Sequence, residues 1–356
     1  MNFTELFRRG DEKIRYRRLD GDFVRGETWK GRNFLTVDPE ALRLMTREAF
    51  HDIAFYLRPS HLEQLAAVLG DPSASGNDRF VAGALLKNAV IAAEGVLPMC
   101  QDTGTAAVAA WKGEAVLTGT DDPVFITRGV RDAYGDNHLR YSQTAPRTMF
   151  DEANTGTNLP AQIDIGSVPG GEYRLLFIAK GGGSANKTAF FQETNALLNP
   201  AALEKFIRDK VAALGTAACP PYHLALVVGG LSAEMNLKTL KLATSGLLDD
   251  LPGEGAAEEY AEPFLDREWS GRLLEAARET GLGAQFGGGY LALDARVVRL
   301  PRHAASCPVS IGVSCSADRN ILGKITSDGV FLEELDRNPG RFLPGTAAAG
   351  GFPSAA

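Results

Sequence analysis

Four apolar runs constrain this chain more than any other feature: 106–110, 174–179, 224–228 and 309–313. Each is short, rich in Val, Ile, Leu and Ala, and read as a buried strand. Between and before them the apolar spacing turns helical, at 199–214, at 265–280, and through Leu42, Met45, Phe50, Ile53, Leu57, Leu62, Leu65 and Leu69 over 39–69. The loop Asp71-Pro-Ser-Ala-Ser-Gly-Asn-Asp78 then starts a further helix through Val81, Leu85, Leu86, Val90 and Ile91. Helices alternating with buried strands predict an α/β fold, mixed helices and sheet around one sizeable core.

Length alone allows one large domain or two ordinary ones, since 356 residues compare with about 150 per domain. The pattern divides the chain into a lead-in of short strands and turns (1–38, with Phe23, Trp29 and Phe34), a main domain (39–343) and a Gly/Ala/Ser/Pro-rich tail (344–356) expected to be disordered. The acidic, glycine-containing stretch 249–263 reads as a surface loop, and no internal repeat is present. With 37 Lys+Arg against 44 Asp+Glu, net charge −7 and no basic cluster, the chain is a poor match for nucleic acid. No apolar run approaches the roughly 18–20 residues that span a bilayer, so no membrane association is expected. The opening Met-Asn-Phe-Thr-Glu-Leu-Phe-Arg-Arg carries charge where a signal peptide needs apolar residues. A cytoplasmic location with reduced thiols is therefore expected.

Two glycine-rich stretches nearly fit nucleotide motifs. Gly181-Gly-Gly-Ser-Ala-Asn-Lys187-Thr188 has Asn186 where a phosphate-wrapping P-loop needs its second glycine. Gly281-Leu-Gly-Ala-Gln-Phe-Gly287 has one residue too many for the dinucleotide fingerprint, and no strand directly precedes it. The first loop keeps a physical meaning of its own. Its glycines expose backbone N–H groups beside Lys187, which suits a small carboxylate or phosphate. It equally suits a tight turn that lets strand and helix pack closely.

Four cysteines are too few for a disulfide scaffold. Cys100, Cys219 and Cys315 each sit where an apolar segment meets a turn, whereas Cys307 lies ahead of the strand 309–313. There is no Cys-x-x-Cys or His-x₃₋₅-His pair, which argues against structural zinc. An iron–sulfur cluster draws thiolates from distant positions, and three ligands on a four-iron cube leave one iron open as a Lewis acid. The plainer account, that all four are small buried apolar residues, stays open on spacing alone.

The chain also resembles class I, iron–sulfur-dependent fumarate hydratases. The resemblance is carried by Phe55-Tyr-Leu-Arg-Pro59, Leu97-Pro-Met-Cys-Gln-Asp-Thr-Gly-Thr105, Leu139-Arg-Tyr-Ser-Gln143 and Asn154-Thr-Gly-Thr-Asn-Leu-Pro-Ala-Gln162. It continues through 179–188, 214–223, Gly281-Leu-Gly-Ala-Gln-Phe-Gly-Gly288, Arg299-Leu-Pro-Arg-His303 and Val313-Ser-Cys-Ser-Ala-Asp-Arg319, in the family's order and covering roughly 1–343.

The resemblance implies a 4Fe-4S cluster on Cys100, Cys219 and Cys315, with Cys307 a bystander, and reversible hydration of fumarate to (S)-malate at the open iron. It implies substrate contacts from Gln101, Asp102, Arg140, Gly183, Lys187 and the run Thr188, Ala189, Phe190, Phe191 and Gln192, and a catalytic set of Asp102, Arg140 and His303. Arg140 suits a bidentate grip on a carboxylate, although a lone arginine serves as readily in a surface ion pair. Asp102 in Asp-Thr-Gly is also a natural turn or N-cap residue. His303 would donate a hydrogen bond into the site, while His51, His61, His138 and His223 read as structural or surface residues. Family members that run as a single chain continue into a second domain carrying the catalytic base. The resemblance therefore implies an α-subunit-like chain with a separate β partner, and a homodimer of the cluster domain. An L-tartrate or mesaconate dehydratase α subunit, or a non-catalytic cluster-binding relic, are the alternatives.

Overall fold

In the computed structural model, which describes residues 14–254 and 262–343, the periodic stretch at 39–69 forms two helices. They are α1 (Glu40–Phe55) and α2 (Pro59–Gly70), parted at Arg58, whose backbone is extended at φ −63°, ψ 141°. The ring of Pro59 drives the preceding residue out of the helical region, so apolar periodicity crosses a point where helical hydrogen bonding stops. α3 (Gly76–Ala92) begins in a capping box: the Ser75 hydroxyl accepts from the Asp78 N–H, and the Asp78 carboxylate accepts from the Ser75 N–H.

Before these helices lie β1 (Tyr16–Arg18), β2 (Val24–Trp29) and β3 (Arg32–Val37). After them come β4 (Thr105–Gly113), β5 (Val116–Leu117), α4 (Asp122–Asp136), the hairpin β6 (Thr144–Pro146) and β7 (Glu152–Asn154), β8 (Gln162–Val168) and β9 (Tyr173–Lys180). The next stretch holds α5 (Gly182–Ala185), β10 (Ala189–Glu193), α6 (Pro200–Leu214), β11 (Tyr222–Gly230) and α7 (Ala233–Thr244). The last elements are β12 (Phe264–Leu265), α8 (Arg267–Glu279), β13 (Ala292–Arg302), β14 (Cys307–Ser314), β15 (Asn320–Thr326) and β16 (Gly329–Glu333).

The four apolar runs are β4, β9, β11 and β14, and they form the middles of two sheets. The first has order β1-β16-β15-β9-β4-β8 and the second β10-β14-β11-β13-β12. Side chains alternate across each sheet with period two. Thus Ala106, Val108 and Ala110, with Leu175 and Phe177, face α1 and α4, where Phe50 meets Phe177 edge-on at 6.0 Å. Ala107, Ala109, Leu176 and Ile178 face the other way, into a core shared with Leu240 and Ala243 of α7 and with Ala225 and Val227 of β11. Leu224, Leu226 and Val228 point outward again, against Ile207 and Val211 of α6 and Leu273 of α8. The result is five layers, helix–sheet–helix–sheet–helix. Both faces of the central strands are buried, which is why they carry no polar alternation.

The loop that resembled a dinucleotide fingerprint wraps a side chain instead. Asp78 accepts from the N–H groups of Gly289 and Tyr290, and Asn77 donates to the Gly287 carbonyl. Gly288 lies at φ 130°, where an added Cβ would fall 2.2 Å from an Asp78 oxygen, so the glycine is there for close approach. The expected tail at 344–356, part of the lead-in and part of the acidic loop 249–263 lie outside the described residues. Among the described residues no helix is long and apolar enough to cross a membrane.

Candidate active site

Strand direction gathers the candidate residues. β4 starts at Thr105 opposite Lys180, the last residue of β9, and β11 pairs His223 with Ser314, the last residue of β14. β15 begins at Asn320, opposite Ile178. The loops before β4, after β9, before β11 and after β14 therefore leave the two sheets at one common end. They carry Cys100, the glycine-rich 181–188, Cys219 and Cys315 respectively.

Hydrogen bonds tie these loops to one another. The Ser316 N–H donates to the Cys219 carbonyl at 3.0 Å. Asp102 accepts from its own turn, Gly104 N–H at 3.0 Å, and from the glycine-rich loop, Gly182 N–H at 2.7 Å. The Asp102 carbonyl in turn accepts from the Arg319 guanidinium. Gly183 lies so near the Cys219 loop that an added Cβ would come within 3.1 Å of Ala218 Cα. Asp102 thus fills the turn role that Asp-Thr-Gly suggests and reaches across to the next loop as well.

The three thiols share one electrostatic neighbourhood. Burial pushes the Cys219 thiol up, and the charges of Cys315, Cys100 and Asp102 push it further. Cys100 and Cys315 are half-buried, Cys219 is exposed, and Cys219 is held at φ 57°, a left-handed conformation uncommon for a residue with a Cβ. Cys307 is fully buried at the opposite end of β14, and its surroundings are Arg299, Arg302 and Glu193. Eight residues of strand separate it from Cys315, about 26 Å at 3.3 Å per residue.

His303 is not brought to the thiols. It sits exposed in the turn joining β13 to β14, its Nδ1 accepting from the Ala305 N–H at 3.2 Å and its carbonyl from Ser306 N–H and Arg302 Nη1. β14 must run its full length back from that turn before it reaches Ser314, so within this chain His303 occupies the far end of the sheet.

The expected anion loop is also shorter than 183–192. Thr188 is the last loop residue, and Ala189 to Gln192 belong to the edge strand β10, which pairs Ala189 with Ile311 and Gln192 with Pro308 and so runs away from Cys315. Phe191 packs edge-on against Phe206 at 5.4 Å, a core contact. Phe190 is half-buried and Gln192 exposed on the same strand. What stays near the thiols is Gly183, Lys187 and Thr188. Lys187 is half-buried, and among the described residues no carboxylate pairs with its ammonium.

Arg140 is exposed, and its guanidinium likewise has no acidic partner among the described residues, so it is not spent in an ion pair. Its backbone is pinned to the Asp102 turn: the Thr103 hydroxyl donates to the Arg140 carbonyl, Gln143 donates to Thr105 Oγ1 at 2.6 Å, and Asn158 bridges Ser142 N–H to the Gly104 carbonyl. Gln101 is exposed beside Cys100.

Two cations carry no mark in the sequence: Arg319 closes the motif 313–319, and Lys180 ends an apolar run. Lys180 donates to the Val313 carbonyl, and burial lowers its pKa to about 8 against the raising effect of Cys315 and Asp318. It lines a cavity of about 660 Å³ beneath the loops, together with Thr188, Lys238, Lys241, Asp164 and Glu234.

Comparison with known proteins adds to this geometry. The family model described as "Fumarate hydratase (Fumerase)" matches residues 44–324. "Fumarate hydratase class I, anaerobic" of Escherichia coli (strain K12) is 54% identical over 338 residues, 95% of this chain and 61% of that protein. "Fumarate hydratase 2" of Leishmania major is 55% identical over 314 residues, 88% of this chain and 55% of that protein. A protein of Methanocaldococcus jannaschii, provisionally described as an L(+)-tartrate dehydratase subunit alpha, is 29% identical over 290 residues, 79% of this chain and 96% of its own length. The chain spans about three fifths of the curated fumarate hydratases it matches.

Proposed function

The chain belongs to the class I fumarate hydratase family, and on that premise we propose that it forms the iron–sulfur half of an enzyme hydrating fumarate reversibly to (S)-malate. The observation that carries the reading is the meeting of Cys100, Cys219 and Cys315 at one end of two sheets, with Cys307 excluded. Three soft thiolates on separate loops, partly open to solvent and without imidazole among them, are a donor set suited to a 4Fe-4S cluster. When bound, such a cluster supplies a Lewis acid for the oxygens of a small dicarboxylate.

The remaining chemistry belongs to the chain's own side chains. Fumarate is a dianion, and Arg140 and Lys187, which pair with no carboxylate among the described residues, are cations available to meet it. Arg140 grips one carboxylate through two parallel N–H bonds, held in place by the Thr103 and Gln143 contacts of its backbone. Lys187, Gly183 and Thr188 offer the second anion site, and Gln101 lies next to the thiols as a further donor. Asp102, fixed by two backbone N–H groups, orients the glycine-rich loop and faces the substrate as a hydrogen-bond acceptor.

The base that removes the carbon proton comes, in this proposal, from a second, β-type unit. The relative described as a subunit alpha matches this chain across 96% of its length, which supports an α-type role here. A homodimer of the cluster domain and a cytoplasmic location belong to the same proposal. That relative also favours a tartrate-type specificity as the second reading, but identities of 49–56% to fumarate hydratases outweigh 29%.

The test is anaerobic reconstitution with iron and sulfide. Cys100→Ser, Cys219→Ser and Cys315→Ser should each lose the broad visible absorption of the cluster, and Cys307→Ser should keep it. Loss in Cys307→Ser with the fold intact overturns the ligand assignment. Comparing malate, tartrate and mesaconate turnover with the second unit present separates the two specificities.

A further inference from the structure

Beneath the thiol loops lies a buried polar chain that neither substrate nor thiols use. His61, on the first turn of α2, places Nε2 at 3.0 Å from the Ser316 carbonyl and Nδ1 at 2.8 Å from His223 Nε2. His223, on β11, places Nδ1 at 2.8 Å from an Asp294 oxygen. Both histidines are buried.

The protons follow from donor–acceptor counting. A carbonyl only accepts, so His61 Nε2 carries hydrogen; the charge is favoured on His223, which bonds a carboxylate, over His61, whose partners are a carbonyl and an imidazole, so His61 Nδ1 accepts and His223 Nε2 donates to it. Asp294 already accepts from Gln64 at 2.9 Å and from Arg296 at 2.7 Å. A carboxyl surrounded by those donors has no place for a proton, so His223 Nδ1 donates as well.

With both nitrogens donating, His223 is an imidazolium. The groups facing it agree: Asp294 on β13, Asp318 of the Cys315 loop with an oxygen 3.8 Å from Nε2, and His61 on α2, with Arg296 and Arg58 beyond the two aspartates. The proximity of His61, His223 and Asp318 could suggest a metal site. The Nδ1–Nε2 contact is a hydrogen bond that takes up the lone pair of His61 Nδ1 and the N–H of His223 Nε2, which argues for a proton there instead.

Ser316 is where this chain acts. Its carbonyl is held by His61 and its N–H by the Cys219 carbonyl, so one peptide unit next to Cys315 is gripped from both sides. We propose that His223 is a buried imidazolium whose hold, passed through His61 to Ser316, fixes the Cys315 loop against the Cys219 loop. The two histidines are thus positioning residues for the thiol cradle. The inference rests on the cluster reading only for the purpose of the cradle; the protonation pattern and the grip on Ser316 stand on geometry alone.

Three measurements test it. In chain labelled with ¹⁵N-histidine at pH 8.5, a histidine of ordinary pKa is only about 1% charged. One of the five should nevertheless show both ring nitrogens protonated, vanishing in His223→Gln, and one should show the neutral Nε2–H tautomer, vanishing in His61→Gln. A neutral His223 overturns the proposal. Hydrogen exchange of the 314–319 segment should quicken at least tenfold in His61→Leu and stay within twofold of the parent in His61→Gln, whose amide reaches the same carbonyl. Equal exchange in parent and His61→Leu overturns it too.

Iron loading should fall at least fivefold in His61→Leu and be restored in His61→Gln. A parent that loads no cluster refutes the cluster reading, while the first two measurements still decide this one. Should His61→Leu fail to fold, the ring-nitrogen spectrum of the parent and the exchange of His61→Gln decide.

Discussion

Gly104 and Gly95 allow backbone strain and steric overlap to be measured separately. Both lie in the left-handed region, at φ 81° and φ 75°. An alanine there costs about 1–2 kcal/mol from its Cβ meeting the following carbonyl. At Gly95, just past α3, an added Cβ meets nothing within 4 Å. At Gly104 it would fall 2.9 Å from the Lys180 carbonyl carbon and 3.0 Å from the Ala179 carbonyl carbon, backbone atoms of a paired strand that cannot swing aside. Overpacking of that kind adds about 1–3 kcal/mol.

Gly95→Ala should therefore lose about 1–2 kcal/mol, and Gly104→Ala about 2–5 kcal/mol, read from the midpoints of urea unfolding at unchanged slope. On the proposed function, Gly104→Ala should also weaken binding of the dicarboxylate, because its N–H holds Asp102 and its carbonyl is held by Tyr134 and Asn158. Losses equal within about 0.5 kcal/mol, the ordinary scatter of such comparisons, would refute the claim that overlap with β9 is what demands glycine in Asp-Thr-Gly.

Burial holds the His61 pKa down at about 4, against 6.5 for a free side chain. The unfolded chain then takes the proton first, so stability should fall as pH drops from about 6.5 to about 4 and level off below, and His61→Gln should flatten that limb in pH-dependent unfolding. His223 has the opposite sign: its raised pKa contributes stability fully present below 6.5 and lost as pH rises through the folded value, so His223→Gln should flatten the alkaline limb. Arg58 and Glu333 form a buried pair at 2.7 and 2.9 Å. Arg58→Met should cost about 3–5 kcal/mol by stranding the carboxylate, and Arg58→Met with Glu333→Leu should recover most of it in thermal unfolding. On the proposed function, Arg140→Lys assayed with the second unit present should raise KM for malate at least tenfold and leave the fold and the reconstituted cluster's spectrum unchanged, because a point charge replaces a two-pronged grip.

The elements most legible in the sequence were those whose surroundings leave them no choice of residue. β4, β9, β11 and β14 lie between layers, so both faces are apolar and each run is visible by eye. β13 escaped notice because Asp294, Arg296, Arg299 and Arg302 interrupt it. Asp294 and Arg296 pair with each other within the strand and reach distant partners as well, Asp294 to His223 and Arg296 to Asp249. The three cysteines at segment junctions are visible as a set, since a turn at the end of a strand is where loops from different elements meet. His61 and His223 are not, because they stand 162 positions apart and neither neighbourhood hints at the other. His303 shows the converse: nearness to a cysteine-bearing strand in sequence says nothing about which end of the strand it occupies.

The gathering of loops at the common end of two sheets has a consequence for when the cradle exists. Cys100 and Cys315 enclose more than half of the chain, and Cys219 lies between them. The entropy of closing such loops is recovered only once the strands that bring their ends together have paired. No fragment ending before residue 315 contains three thiols in reach of one another, and the last of them arrives only when β14 has laid itself alongside β11. On the proposed cluster reading, iron loading waits until residue 315 has joined the fold, so the order of events follows the strand order.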